Sequence, residues 1–206
     1  KDEELIQVST VLNNDDQISV PNYFINFTNY TPKVIFPKLN LSNSKLINTI
    51  LEEVGIELSV GGLLQNLIIN FDTSKEILKA NIQNLEISNN SMDLKGLVGK
   101  LSIYKGKGEL ALNSPFIRAS SSKFLDKDLE FYDFNSLLNF SLFNKKFEIY
   151  PSSFTSILDD EEIEGLLSFL TIPTKGIGDI NLRIKSKRMN DKSALSLFPN
   201  TAYLSS

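Results

Sequence analysis

The chain has 206 residues, enough for one sizeable domain with a real core and short of two comfortable ones. Apolar types make up 41% and charged types 22%, and the net charge is -4; disorder, collagen-like structure and a concentrated basic face for nucleic acid are all excluded on these grounds. The absence of Cys and His removes disulfides, thiolate nucleophiles, Ser-His-Asp triads and the usual nitrogen and sulfur zinc sites, so any chemistry falls to carboxylates, Lys, Tyr or Ser.

In chain order, residues 1–41 read as extended chain and strands, closing on Pro37–Leu41. The aromatic group Tyr23, Phe24, Phe27 and Tyr30 lies in surroundings that are not basic, which favours packing on a sheet over stacking on bases. Ser42 is a capping residue. Leu46, Ile47, Ile50, Leu51 and Val54 follow at helical spacing and Gly55 ends the run, so an amphipathic helix is expected over 42–55. From about residue 60 the pattern becomes period two. Apolar and polar residues nearly alternate over 66–71, 80–87, 99–104, 108–112, 138–142, 146–150 and 179–185, each the signature of a strand with one apolar face.

Short connections rich in turn-forming residues separate these strands: Asn89-Asn90-Ser91, Lys105–Gly108, Asn113-Ser114-Pro115 and Asn144-Lys145-Lys146. Connections this short suit antiparallel hairpins. A weaker helix is expected over Asp159–Phe169, its acids at the favourable end of the helix dipole, in competition with a strand from Leu166. The domain expectation is one continuous unit: strands to 41, the helix, a sheet core over 60–150, and further strands over 151–206. No apolar run is long enough for a membrane-spanning helix. Lys1 opens no leader with a basic start and an apolar stretch, so the chain reads as an excerpt of a longer one.

Candidate sites have bland readings that outweigh the sharp ones. The acidic run Asp159–Glu164 lacks the alternating oxygen ligands and central Gly of a calcium loop and reads as a solvated helix start. Gly106 with Gly108, and Gly176 with Gly178, lack the rest of any phosphate-binding fingerprint and read as turn glycines. The apolar strand faces leave two readings open, because the inside of a closed sandwich and the lining of an open groove have the same pattern. Period alone favours the closed form.

The order of features is more specific than any one of them. Gly62–Leu67, then Leu97-Val98-Gly99-Lys100-Leu101, then Gly106-Lys107-Gly108-Glu109-Leu110-Ala111-Leu112, with Leu195–Pro199 near the end, resembles the central repeat-bearing region of the YhdP branch of the AsmA-like proteins of Gram-negative envelopes. The tryptophans common in that family have no counterpart here, nor does its N-terminal membrane anchor. The resemblance implies a mostly β fold: an extended, curved antiparallel sheet forming an open apolar groove, with one or two short helices. It further implies phospholipid passage between inner and outer membranes, a periplasmic place with anchoring through a segment outside this chain, and no enzyme activity, cofactor or metal. Groove-lining positions on that reading are Leu67, Ile69, Phe71, Leu101, Ile103, Leu110, Leu112, Leu138, Phe140, Leu142, Ile180, Leu182 and Ile184. The alternative is a structural or adhesive β-sandwich that binds protein or carbohydrate.

Overall fold

The computed structural model describes residues 4–8, 23–28, 31–42, 59–71, 77–88, 92–121, 125, 127–143, 146–170 and 180–186. They form eleven strands: β1 (Glu4–Val8), β2 (Tyr23–Thr28), β3 (Thr31–Asn40), β4 (Ser59–Asn70), β5 (Leu78–Ser88), β6 (Asp93–Tyr104), β7 (Lys107–Ser120), β8 (Leu129–Phe143), β9 (Lys146–Leu158), β10 (Glu161–Leu170) and β11 (Ile180–Ser186). All belong to one antiparallel sheet whose spatial order is the chain order. Among the described residues β1 and β11 are its edges, so the sheet is open and curved, and no second sheet faces it as a sandwich would require. The helix expected over 42–55 lies outside the described residues from 43 onward.

Among the described residues, two connections are two-residue turns of the kind that matches strand twist. Lys105 and Gly106 (φ 48° and 75°) join β6 to β7, and Asp159 and Asp160 (φ 49° and 65°) join β9 to β10. The second corrects the helix expected over 159–169. Both aspartates sit in the left-handed region, and the chain then alternates: Ile163 is 1% exposed while Leu166 is 46% exposed. A helix would put those two residues on one face. Asp159 and Asp160 are therefore hairpin residues, Glu161 opens β10, and Glu162 and Glu164 lie on its outer face; none of them starts a helix. The turn expected at Asn113-Ser114-Pro115 is also corrected, for it lies inside β7.

Several strands are longer than the alternating stretches that announce them because their inward set changes phase midway. In β4 the inward residues are Val60 and Leu64, then Leu67 and Ile69; in β5 they are Leu78, Ala80 and Ile82, then Leu85 and Ile87. β6 goes from Leu94 to Leu97, β7 from Leu112 and Ser114 to Ile117, and β8 from Phe131 to Phe134. The pairing registers slip next to these breaks between β4 and β5, β5 and β6, β6 and β7, and β8 and β9. Asn66, Asn84, Gly96 and Asp133 take positive φ there, the conformation that Gly and Asn reach most easily. In β7 the proline falls at such a break, between the Ser114–Phe134 and Phe116–Tyr132 pairs, where it displaces no regular pairing. Bulges bend the strands that carry them. A set in the middle of successive strands folds each across its own length.

A bulge leaves backbone groups without ladder partners, and inward serines replace them. Ser114, 1% exposed, accepts a hydrogen bond from the Val98 amide (2.9 Å) and donates to the Val98 carbonyl (3.2 Å) across the β6–β7 slip. Ser152 accepts from the Asn139 amide (3.4 Å) and donates to the Tyr150 carbonyl (2.8 Å), and Ser156 donates to the Tyr132 carbonyl (2.7 Å). Ser114→Ala strands both Val98 groups, which costs about 1–3 kcal/mol. The thermal midpoint should fall by roughly 3–10 °C in a domain of this size. An unchanged melting curve would refute the repair role.

Candidate functional site: the apolar inner face

The phase changes have one result: every strand from β3 to β10 keeps apolar residues on the same side. Three buried groups follow one another along the sheet. The first is built on Leu39, Leu41, Leu64, Leu67, Ala80 and Ile82; the second on Leu97, Leu112, Ile117 and Leu138; the third on Leu129, Phe154, Leu158 and Ile163. They are not separate cores. Leu85 and Leu110 pack against both the first and the second, and Phe131, Phe134 and Leu167 against both the second and the third. Phe134 stacks on Phe154 with ring centres 5.4 Å apart, and Tyr23 of β2 leans on Phe36 at the same separation. The result is one apolar surface crossing the strands.

Most of the expected lining residues whose side chains the structure describes lie on this surface. Leu67, Leu112, Leu138 and Phe140 are buried; Ile69, Leu101, Leu110 and Ile184 are half-buried and packed on the three groups, and Ile103 is half-buried opposite Leu78. Phe71 stands one residue beyond β4 and is 59% exposed, at the rim. Leu142 belongs to β8, and Ile180 and Leu182 to β11, opposite Phe169 and Leu167. Leu64, Ile82, Leu97, Ile117, Leu158 and Ile163 were not expected. The signal that finds Leu64, Ile82 and Leu97 is an apolar spacing of three, instead of two, across Asn or Gly: Leu64 to Leu67, Ile82 to Leu85 and Leu94 to Leu97.

Two glycines give the surface room for its largest side chains. Gly108 pairs with Phe140 and Gly165 with Phe154, and in each case the ring lies where a Cβ would stand. Gly108 is thus more than a turn glycine. The glycine costs the strand some stability, and the ring laid over it compensates.

The opposite face is polar with scattered aromatics. Phe116 and Tyr132 pair across β7 and β8 with ring centres 5.3 Å apart. The Tyr132 hydroxyl donates to Glu130 at 3.1 Å, and that bond together with the carboxylate's charge raises its pKa above the usual phenol value. Arg118 Nε donates to Asp128 at 2.8 Å within the β7–β8 hairpin, and Lys127 of the same connection pairs with Asp159 of the β9–β10 turn at 3.3 Å. A shallow depression on this side, bounded by Lys79, Asn81, Lys100 and Ser102, has Glu109 as its one carboxylate. Among the described residues no three Asp or Glu side chains gather as metal ligands would.

The site is therefore a surface, not a constellation. It offers burial to apolar matter. Comparison with protein-family models, with curated proteins and with solved structures gives no match to this chain.

Proposed function

We propose that this chain is a segment of a periplasmic lipid conduit, sheltering phospholipid acyl chains on its apolar inner face as they pass between the inner and outer membranes of a Gram-negative envelope. The observation that supports it best is the continuity of that face across strands β3 to β10, in a sheet that stays open instead of closing on a second layer.

The physical need is large. An acyl chain of some 16 carbons left in water costs about 12 kcal/mol at roughly 0.8 kcal/mol per methylene. A trough crossing the strands removes most of that cost, while the headgroup stays hydrated on the open side. The eight strands β3 to β10 at about 4.8 Å spacing make a trough of roughly 34 Å. That length calls for continuation by other strands of a longer protein.

Photo-crosslinking residues at Ile69, Leu101 or Leu110, introduced in a Gram-negative host, should yield phospholipid adducts. The outward positions Asn81 and Arg183 should yield none. Adducts confined to the outward positions would sink the proposal. The sandwich alternative needs a second sheet interdigitated with the first, and the open sheet gives it no support.

A further inference from the structure

The antiparallel registers sort the strand ends into two rims. One carries the Tyr104–Lys107 hairpin tip, Phe71 and Ile77; the other carries Asp93, Asp128 and the Asp159–Asp160 turn. Among the described residues charge divides between them. On the first side, among the described residues, Lys105 and Lys107 are exposed at the hairpin tip, and Lys79 and Lys100 are exposed on the outer face below it with Glu109 beside them. Lys79 is paired with Ser102 and Lys100 with Asn81, so the two lysines are diagonal neighbours on one face. On the other side carboxylates outnumber bases, and Arg118 and Lys127 are already paired with Asp128 and Asp159. The lysine rim also bears exposed aromatics: Tyr104 is 42% exposed with the Lys105 ammonium 5.1 Å from its ring centre, and Phe71, 59% exposed, stands just past the end of β4 on the same rim with β5 between them.

We propose that the Tyr104–Lys107 rim is where the headgroups of anionic phospholipids ride, so that the trough selects anionic lipids and holds them with the phosphate toward the lysine side. The inference rests on the lipid-conduit reading and adds to it a substrate class and an orientation. Lysines beside amphipathic rings at the margin of an apolar surface match a lipid interface, where the ring straddles the boundary and each ammonium attracts an anionic headgroup. The acidic rim repels the same headgroups. A zwitterionic lipid, carrying no net charge, gains little from either rim.

The test uses the 206-residue chain incubated with vesicles of phosphatidylcholine and phosphatidylglycerol in equal parts, then separated from them, with its bound lipid identified by mass spectrometry. Phosphatidylglycerol should be enriched about fivefold or more at low salt, and the enrichment should shrink as salt screens the rim. In the Lys105→Gln, Lys107→Gln double variant the enrichment should fall toward unity while total bound lipid is unchanged. Lys95→Gln, on the acidic side, should leave it intact. Equal uptake of the two lipids, enrichment that survives the double variant, or an equal loss in Lys95→Gln overturns the rim assignment and leaves the trough standing. A chain that takes up no lipid at all overturns the conduit and the rim together.

Discussion

Leu110→Glu should abolish lipid uptake while the sheet still folds. Leu110 is the best place for a barrier because it packs against both the first and second apolar groups, at the seam where one passes into the next. It is half-buried, so a charged side chain there retains access to water and the fold keeps its neighbours. To a lipid tail crossing the seam, a carboxylate in hydrocarbon costs about 2.5–3.5 kcal/mol. That predicts roughly a hundredfold loss of bound lipid on the same vesicle assay. Circular dichroism and a thermal melt supply the control: Leu110→Glu should keep its strand signal, and Leu110→Met should retain uptake. Uptake that survives the glutamate would mean that lipid does not cross the seam.

Alternation alone reveals that most of these strands exist, and several inward residues, such as Leu101 and Leu112, follow from it. It fails where a bulge adds one residue, since everything beyond the bulge changes face. Residues 113–115 show why: Asn, Ser and Pro are turn formers, and only the partner strand reveals that Ser114 points inward to repair Val98. The acids at 159–164 suit a helix start and a tight hairpin equally well, and the choice is made by Ile163 and Leu158, each 1% exposed in the third apolar group. Whether the sheet closes is beyond local sequence altogether. A sandwich and a trough have the same inward alternation, and they differ only in what lies across from it.

The second large effect concerns room on the inner face. Gly108→Val replaces a poor strand residue with a good one and should still destabilise the protein, because the added carbons occupy the space of the Phe140 ring. Expelling that ring forfeits what a buried Phe contributes, about 3–5 kcal/mol, a large part of the 5–15 kcal/mol that holds a typical domain together. Denaturant titration should therefore show a much earlier midpoint than wild type. If the ring is the whole obstacle, removing it must relieve the strain. Phe140→Ala added to Gly108→Val should give a protein about 1–3 kcal/mol more stable than the two separate losses predict. Gly165 answers differently. A Cβ there meets the Phe154 ring and also the Arg183 carbonyl oxygen of the next strand, which no side-chain truncation removes. Gly165→Val should remain destabilised when combined with Phe154→Ala. Strict additivity at Gly108 would show that the Phe140 ring does not rest on that glycine, and full rescue at Gly165 would show that the Arg183 carbonyl is no obstacle there.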